Sequence, residues 1–308
     1  MISVIIPTYN PDLKRLHQVL TALAEQTLEL NFWEIIVIDN NSTSGFESLI
    51  DLSWHPRARV VTEVEPGLSY ARLKGIAMAS SAIIVMVDDD NILKRDYLQR
   101  VLQIFNSNPS LGAIGGKITP MFEGSNNQLA LMFENLLAVR DLGEDIQICT
   151  NNESYPSIAP VGAGMAFRKS SICTYVSKIV AGKNIISDRK GNSLSSSGDN
   201  EMVWEIINSG WAIGYFPELQ LQHIIPEVRT KKEYLAKLNF QIQESWVLFL
   251  LKHNICPWKT ILPLSLPFRK LKSWIKCRAW KNEVNYIKWQ GTCGTFNGLA
   301  NFKKIETT

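Results

Sequence analysis

The run Ile83-Ile84-Val85-Met86-Val87-Asp88-Asp89-Asp90 sets the architecture that we predict for this chain. Its five apolar residues have the length and composition of a buried strand. Three adjacent carboxylates follow at the end of that strand, where they repel one another unless solvent or a cation compensates their charge. The run therefore predicts a sheet whose buried strands end in polar side chains.

The residues around this run repeat the same pattern. Further short apolar segments are typical of buried strands, at residues 2–6, 34–38, 59–62 and 111–118. Helical patterns lie among them, at residues 13–25, 46–52, 68–79 and 129–139. Strands that are apolar throughout and alternate with helices are typical of a parallel sheet covered on both faces. We therefore predict an α/β fold with a mostly parallel sheet flanked by helices.

Polar clusters directly follow three of these strands. They are Pro7-Thr8-Tyr9-Asn10, Asp39-Asn40-Asn41-Ser42 and the aspartate triplet. The carboxyl ends of parallel strands share one edge of a sheet, and ligands bind such sheets at that edge. We therefore expect the three clusters to converge on a single crevice.

The aspartate triplet has the chemistry of a divalent-metal site. Mg²⁺ and Mn²⁺ take hard oxygen ligands and usually complete their shell with phosphate oxygens of a substrate. Alternate residues of an extended chain point the same way, so Asp88 and Asp90 are expected to serve one ligand site. The alternative is that the acids cap a following helix, because Asp is favoured at N-caps and in first turns.

Four motifs, taken in chain order, make the sequence resemble the family 2 glycosyltransferases of the GT-A fold. They are VIIPTYN at residues 4–10, IVIDNNS at 36–42, EPGLSYAR at 65–72 and the aspartate triplet. The resemblance runs from Met1 to about His223. It implies an inverting enzyme that uses Mn²⁺ or Mg²⁺ and moves a sugar from a nucleoside diphosphate sugar to a glycan or lipid-linked acceptor.

The resemblance also implies which residues bind the donor. In such enzymes the end of the first strand and the acid after the second strand hold the nucleotide base, and the EPGLSYAR segment lies beside the nucleotide. The implied donor-binding residues are Pro7, Thr8, Tyr9, Asp39, Arg72, Asp88 and Asp89. The alternative role of Asp39 is to cap the helix near Phe46. A basic side chain such as Arg72 is otherwise simply solvated on an exposed helix face.

Asp199 is the general base that the resemblance implies. Residues 194–202, LSSSGDNEM, resemble the family segment that supplies the base, although Gly198 stands where the family often has an acid. A carboxylate in hydrogen-bond reach of an acceptor hydroxyl can take its proton during attack on the anomeric carbon. Glu201 matches a later acid of the pattern, and we assign it to acceptor binding. The alternative is that Asp199 caps the helix starting here, a role that Ser197 would otherwise fill.

His223 and two glycines complete the expected site. A similarly placed histidine in the family sometimes joins the metal ligands, which we expect to be Asp88, Asp90 and His223. Imidazole suits Mn²⁺, although a lone histidine is otherwise structural. Gly162 and Gly164 permit a close backbone approach and are expected to form part of the acceptor wall, but a tight turn explains them equally well.

The sequence predicts a glycosyltransferase domain at residues 1–230, with a nucleotide-sugar-binding half at 1–118 and an acceptor-binding half at 119–230. Residues 231–308 are predicted to form a helical, basic C-terminal segment. Eleven Lys and Arg stand against two acids from Lys252 onward, whereas the rest of the chain is acidic. Tryptophans interleave with these charges, so we expect contact with an anionic membrane surface without spanning. The alternative is that the tryptophans pack onto the catalytic domain.

Composition limits the other function classes. Hydrophobic residues at 45% and charged residues at 20% are typical of a globular protein. The five cysteines show no Cys-x-x-Cys spacing, which predicts reduced thiols. With no signal-peptide pattern before the first strand, we expect a cytoplasmic enzyme, peripheral on the inner face of the membrane. No base-reading motif supports a nucleic-acid partner.

Two rival functions remain open on the sequence. A nucleotidyltransferase also binds its nucleotide and a metal at the edge of such a sheet. It would, however, carry a glycine-rich, basic signature after the first strand in place of Pro7-Thr8-Tyr9-Asn10. A non-catalytic protein that binds a nucleotide or a glycan could use the same scaffold. The presence of both Asp199 and the aspartate triplet argues against that second rival.

Overall fold

A computed structural model describes residues 1–125, 128–150, 153–181 and 198–305 of the chain. Its strands are β1 (Ile2–Thr8), β2 (Trp33–Asp39), β3 (Ala58–Thr62), β4 (Ile83–Met86), β5 (Asn91–Leu93), β6 (Leu111–Phe122), β7 (Gln147–Cys149), β8 (Ala166–Arg168) and β9 (Ala212–Ile225). Its α-helices are α1 (Leu13–Ala24), α2 (Leu68–Met78), α3 (Tyr97–Ser107), α4 (Gln128–Leu131), α5 (Cys173–Val180), α6 (Gly198–Asn208), α7 (Lys232–Lys252), α8 (Leu266–Cys277) and α9 (Glu283–Ile305).

The strands form one mixed sheet in the order β3-β2-β1-β4-β8-β6-β9-β5, and β7 pairs with β9. The first four strands are parallel, as predicted. Strand β8 then runs antiparallel to both β4 and β6, and β5 and β7 run antiparallel to β9. The predicted α/β fold of the GT-A type is confirmed, and its parallel N-terminal half continues into antiparallel strands that the sequence did not predict.

Helices cover both faces of the parallel strands, which explains why these strands are apolar almost throughout. All residues of β1 and β2 are buried. Successive side chains of β1 alternate between two core clusters, so Val4 and Ile6 belong to one cluster and Ile5 belongs to the other. Helices α1 and α3 contribute to the first cluster, whereas α2 and α6 contribute to the second.

The register of the parallel strands brings their polar ends to one edge. Thr8 lies opposite Asp39, and Asp39 lies opposite Thr62. On the other side of β1, Ile5 lies opposite Met86 near the end of β4. The predicted convergence of the three polar clusters is therefore confirmed by the strand pairing.

Two predicted helices are shorter than expected. Residues 46–52 contain one 3-10 turn, Phe46–Leu49, between a left-handed Gly45 (φ 61°) and an extended Ile50. Residues 129–139 contain the end of α4 and a second 3-10 turn that stops at Ala138, where φ is 56°. The apolar spacing was helical in both segments, but the first turn ends at the extended backbone of Ile50 and the second at the left-handed Ala138. The polar, serine-rich sequence of residues 188–197 predicts a further loop, but these residues lie outside the described ranges.

The chain divides into two compact units. The first comprises Met1–Met121, Ala138–Ile185 and Asp199–Ile224, and it holds the parallel strands and every site residue predicted above. The second comprises Phe122–Leu137, Ile186–Gly198 and Ile225–Thr308. The functional boundary placed at residue 230 remains a prediction.

The second unit contains the helical C-terminal segment that the sequence predicted. Helix α9 packs closely along α7. The two helices are so close at Gly294 that an added side chain there would collide with the Phe240 carbonyl. The buried amide of Asn239 on α7 donates to the Ile287 carbonyl on α9 at 2.9 Å. Across the described ranges, the helices are all too short or too polar to traverse a bilayer.

Candidate active site

The ends of β1 and β4 are joined by a hydrogen bond between two predicted donor-binding residues. Thr8 Oγ1 donates to Asp89 Oδ2 at 2.5 Å, and Thr8 is buried. This contact continues the pairing of β1 with β4 beyond Met86. The structure therefore places the first polar cluster and the aspartate triplet in direct contact.

Asp39 turns the chain after β2. Its Oδ1 accepts from the Ser42 backbone N–H at 2.9 Å, an arrangement in which the side chain mimics a backbone turn. The 3-10 turn at Phe46 begins after Gly45 and has no side-chain cap, so the alternative that Asp39 caps it is wrong. Asp39 is buried at the carboxyl edge of the sheet, where the resemblance expected it.

Asn40 holds the segment that leads into α2, a role that the sequence did not predict. Its Nδ2 donates to the Glu65 carbonyl at 2.7 Å, and its Oδ1 accepts from the Gly67 N–H at 2.7 Å. The second and third motifs are therefore bound together through one buried amide. The signal available in the sequence was only its place next to Asp39.

The aspartate triplet lies in a turn and not in an extended chain. Strand β4 ends at Met86, and the Asn91 N–H donates to the Asp88 carbonyl at 3.0 Å. The expectation that Asp88 and Asp90 point the same way as alternate residues of a strand is therefore wrong. Helix capping is wrong as well, because β5 follows the triplet and the N-cap of α3 is Asp96.

The three carboxylates diverge toward different partners. Asp88 Oδ1 lies 3.7 Å from Arg72 Nη2, and Asp89 accepts from Thr8. Asp90 Oδ2 lies 3.4 Å from His223 Nε2. Each acid thus has its own partner: a guanidinium for Asp88, a hydroxyl for Asp89 and an imidazole for Asp90. The separation of the three carboxylates reduces the repulsion between them.

Strand pairing explains how His223 reaches the triplet from more than a hundred residues away. Asn91 of β5 lies opposite His223 of β9, and the Ile224 N–H donates to the Asp90 carbonyl at 2.8 Å. The Asn91 side chain also donates to Asp90 Oδ1 at 3.0 Å. Asp90 and His223 are both buried, at 8% and 7% exposure, so their geometry is fixed by the surrounding sheet.

The Asp90–His223 pair fits a divalent cation that a substrate helps to hold. Neighbouring ligands of an octahedral Mg²⁺ at about 2.1 Å lie about 3.0 Å apart, close to the 3.4 Å between Asp90 Oδ2 and His223 Nε2. In the part of the chain that the structure describes, no three His, Cys, Asp or Glu side chains assemble into a preformed metal site. The residues therefore suit an ion that takes its other ligands from water and phosphate.

Arg72 is buried in α2, at 7% exposure. The alternative that it is solvated on an exposed helix face is therefore wrong. Its guanidinium lies at the end of β4 beside Asp88, and it also borders Gly162, where an added Cβ would lie 2.5 Å from Arg72 Nη2. A permanently charged group is thus held in the corner of the site where the resemblance expects a diphosphate.

Asp199 lies on the other side of Gly162. The Gly162 N–H donates to Asp199 Oδ2 at 2.9 Å, and the Asn200 N–H donates to Asp199 Oδ1 at 3.0 Å. Asp199 and Glu201 belong to the first turn of α6, which starts at Gly198, and the alternative cap Ser197 lies outside the described residues. The loop at Gly162 therefore brings the predicted base and the cation Arg72 to one place.

Tyr155 supports this corner, a role that the sequence did not predict. Its hydroxyl donates to Asn200 Oδ1 at 2.9 Å, and its ring stacks on Trp204 at 6.3 Å between centroids. Burial raises the pKa of Tyr155 well above its usual value, and the carboxylates of Asp199 and Glu201 add to that rise. The phenol therefore stays a hydrogen-bond donor. It lies in a polar loop whose return to α6 no local pattern reveals.

The remaining predicted residues lie in different environments. Gly164 has φ 72°, and its carbonyl accepts from the buried Tyr97 hydroxyl at 2.6 Å, so a tight turn explains it. Glu201 is buried at 4% exposure in α6. Pro7 lies within β1, whereas Tyr9 just beyond it is 61% exposed and belongs to the open rim of the edge.

Comparison with known proteins places this geometry in a family. The model of the family described as "Glycosyl transferase family 2" matches residues 3–172. The glucosyl-dolichyl phosphate glucuronosyltransferase of Haloferax volcanii is 22% identical over 253 residues, which cover 78% of this chain and 74% of that protein. The poly(ribitol-phosphate) beta-N-acetylglucosaminyltransferase TarP of Staphylococcus aureus is 25% identical over 146 residues, 44% of each chain.

A solved structure shares the fold over nearly the whole chain. The crystal structure of Staphylococcus aureus TarS 1–349 in complex with UDP-GlcNAc superposes with a TM-score of 0.53 and 14% identity, covering 99% of this chain and 90% of that one. At this identity the likeness shows the fold alone. The family match, in contrast, covers more than half of the sequence and includes β1, α2 and the aspartate triplet. The chain belongs to glycosyl transferase family 2, and it is a glycosyltransferase.

Proposed function

We propose that this enzyme moves a sugar, with inversion, from a nucleoside diphosphate sugar to a hydroxyl of a glycan or lipid-linked acceptor. The observation that carries the proposal is the corner at Gly162. There the Asp199 carboxylate accepts from the Gly162 amide at 2.9 Å, and the Arg72 guanidinium borders the same glycine. A base and a cation for the leaving group thus lie on either side of one loop.

Asp199 acts as the general base in this proposal. Its carboxylate takes the proton of the acceptor hydroxyl while that oxygen bonds to the anomeric carbon from the side opposite the diphosphate. The bond between the anomeric carbon and the diphosphate oxygen breaks at the same time, and the electron pair leaves with the diphosphate. The amides of Gly162 and Asn200 orient the carboxylate, so that little rearrangement is needed when the acceptor arrives.

The donor occupies the carboxyl edge of the parallel strands. Pro7, Thr8, Tyr9 and Asp39 surround the nucleotide base and ribose in this proposal. Asp88, Asp89 and Arg72 border the diphosphate, where the Arg72 guanidinium offsets the negative charge that develops on the leaving group. The contact between Thr8 and Asp89 links the base-binding and diphosphate-binding parts of the edge.

Mn²⁺ or Mg²⁺ is the proposed cofactor, with Asp90 and His223 as its protein ligands, whereas Asp88, the third ligand expected from the sequence, lies beside Arg72. When bound, such an ion supplies positive charge that stabilises a departing diphosphate. The pairing of β5 with β9 holds Asp90 and His223 side by side. Asn91 orients the Asp90 carboxylate by donating to its other oxygen.

The acceptor class rests on the relatives. One is named for a dolichyl phosphate glycolipid and another for poly(ribitol phosphate), which are a lipid-linked and a polymeric acceptor. We therefore place the acceptor in these classes, with Gly162, Gly164 and Glu201 on its side of the site. Peripheral attachment of the basic C-terminal segment to the anionic inner face of a membrane belongs to the same proposal.

A panel of nucleoside diphosphate sugars tests this function. Purified full-length enzyme is incubated with each donor and Mn²⁺, and the released nucleoside diphosphate is measured with and without a chelator. We expect one sugar and base to give release that stops on chelation, with UDP-GlcNAc the first donor to test. Release that the chelator does not affect would contradict the proposed need for a metal ion. Pyrophosphate release from nucleoside triphosphates would favour a nucleotidyltransferase.

A further inference from the structure

Exposed hydrophobic side chains concentrate in one short part of the second unit. The described residues expose twenty large hydrophobic side chains, and seven of them lie between positions 258 and 280. They are Trp258, Leu262, Leu264, Phe268, Leu271, Ile275 and Trp280. Single exposed apolar residues are ordinary on a protein surface, but a contiguous group usually marks a surface that contacts something.

Most of this group forms one stripe along α8 and the 3-10 turn before it. Leu264, Phe268, Leu271 and Ile275 follow one another at intervals of four, three and four residues, which places them on one side of a helix. Leu264 is 90% exposed and Phe268 is 77% exposed. We call these four residues the α8 stripe.

The opposite side of α8 packs against its own unit. Ser273 is buried, and the Lys270 carbonyl accepts from Trp289 Nε1 of α9 at 3.1 Å. The Lys270 ammonium lies over the Phe240 ring of α7 at 5.8 Å. These packed residues lie on the other side of the helix from the α8 stripe, which therefore faces away from the unit that holds the helix.

Basic residues flank the α8 stripe. Residues 245–282 contain eight Lys and Arg and no acid. On α8 itself Arg269, Lys272 and Lys276 are all exposed, and because each directly follows a stripe residue they lie along one side of the stripe. A helix with an apolar side bordered by Lys and Arg is the type that lies in the plane of an anionic membrane surface.

We propose that the α8 stripe inserts into the interfacial layer of an anionic bilayer and holds the enzyme at the membrane surface. This inference rests on the membrane attachment in the proposed function, names the face that attaches, and does not depend on the donor site. A second copy of the chain is a poor partner for the α8 stripe. Two such faces would bring their basic residues together, and residues 245–282 contain no acid to offset that charge. Anionic headgroups complement the same charges.

The structure also changes which residues are expected to matter. The four interleaved tryptophans of the segment do not share one surface: Trp289 donates to Lys270 and is half-buried, and Trp274 is half-buried against Trp280 at 4.7 Å. Only Trp258 and Trp280 of the four are exposed. Aliphatic residues and Phe268 therefore form the attaching face.

Co-sedimentation of the full chain with vesicles tests the proposal. Vesicles of phosphatidylcholine alone are compared with vesicles that also contain phosphatidylglycerol. One variant, Phe268→Ser/Leu271→Ser/Ile275→Ser, removes the apolar side chains of the stripe. Another, Lys272→Glu/Lys276→Glu, reverses the charge of two basic residues beside the stripe. The matched control, Ile148→Ser/Val180→Ser/Val228→Ser, removes three apolar side chains of 52–81% exposure elsewhere. Truncation after α7 is unsuitable, because α9 packs along α7.

We expect wild type and the control to bind anionic vesicles, and the binding to weaken with salt. The apolar variant should bind about tenfold more weakly or worse, and the charge variant should lose its preference for anionic vesicles. Equal binding by wild type and the apolar variant, or no binding by wild type, would overturn the proposal. A wild-type dimer that the apolar variant converts to a monomer, without vesicle binding, would assign the face to a second copy.

Nucleoside diphosphate release, measured on the same proteins without vesicles, separates this proposal from the proposed function. The α8 variants should keep the wild-type rate, because no predicted donor or catalytic residue lies in α8. If the α8 variants lose vesicle binding but keep wild-type release of nucleoside diphosphate, the result supports the membrane-attaching face and leaves the proposed donor site untouched.

Discussion

Gly162 is the residue at which the proposed leaving-group cation and the proposed base meet. Its amide holds Asp199 Oδ2, and its α-carbon faces the Arg72 guanidinium. An added methyl group would lie 2.5 Å from Arg72 Nη2 and 3.5 Å from Asp199 Oδ2. Since the closer contact is the end of a flexible side chain, Arg72 has to move and the fold does not.

Gly162→Ala should therefore lower turnover by roughly tenfold to a hundredfold, because a displacement of about 1 Å costs that much at a catalytic centre. The melting temperature should stay near wild type. Gly45→Ala is the control, since Gly45 has φ 61° and open space around it. That substitution should cost about 1 kcal/mol of stability and leave turnover unchanged. Wild-type turnover in Gly162→Ala would remove this corner from the mechanism.

The divergence of the three aspartates separates their predicted roles. Asp90→Asn weakens a ligand beside His223, so the Mn²⁺ concentration needed for half-maximal activity should rise by about tenfold or more. Asp89→Asn is the matched change at a neighbouring acid that accepts from Thr8. It should raise the donor KM and leave the metal requirement unchanged. Titration of activity with Mn²⁺ distinguishes the two, and equal metal requirements in all three proteins would contradict the assignment.

Among single residues, the sequence predicted those that follow strands. It did not predict those whose contacts are made with distant parts of the chain. Thr8, Asp39 and the aspartate triplet stand at strand ends, where a parallel sheet fixes their neighbourhood. Asn40 and Tyr155 act through partners 25 to 45 residues away, and no local spacing specifies those contacts. The burial of Arg72 depends in the same way on a distant loop at Gly162.

Strand β2 carries a buried acid that ties neighbouring elements together. Glu34 accepts from Ser3 of β1 at 2.5 Å, from Ser80 after α2 at 2.7 Å and from Arg59 of β3 at 2.8 Å. Burial alone would raise its pKa, but the hydrogen bonds from Ser3, Ser80 and Arg59 together lower the pKa to about 2.

This carboxylate should make the fold sensitive to acid. The pKa of Glu34 is about 2 in the folded state against 4.5 ordinarily, so its contribution of about 3 kcal/mol is complete above pH 4.5. That contribution is lost as the pH falls from about 4.5 toward 2. Denaturant unfolding of Glu34→Gln should show lower stability at pH 7 and a flatter decline between pH 5 and 3. The exposed Glu29→Gln should behave as wild type, and an unchanged acid profile in Glu34→Gln would contradict the shift.

Elements were predictable where their pattern was long. The strands β1, β2 and β4 and the helices α1, α2 and α7 follow from continuous apolar runs or sustained helical spacing. Strands β5, β7 and β8 have three residues each, too few to show a period, and their antiparallel pairing depends on distant chain segments. This is why the sequence predicted the parallel strands and did not predict β5, β7 and β8.

The whole molecule separates an acidic first part from a basic C-terminal segment, a distribution that composition along the chain already showed. Its two compact units each draw on three separate stretches of sequence, which no boundary in the sequence marks. The family could be predicted because its four motifs fall within the first 90 residues and each ends at the same edge of the sheet. The exposure of the α8 stripe could not be predicted, because helical spacing does not say which side of a helix its neighbours cover.

The central claim is that Asp199 serves as the base of a sugar transfer and not as part of the donor site. Asp199→Asn keeps the size of the side chain but cannot take a proton at neutral pH. With the donor found in the panel, we measure donor affinity by calorimetry and nucleoside diphosphate formation in the presence of acceptor, using the exposed Asp145→Asn as the matched control. We predict turnover lower by about 10²- to 10⁴-fold in Asp199→Asn with donor affinity near wild type. Unchanged turnover, or donor affinity that falls together with turnover, would contradict the account.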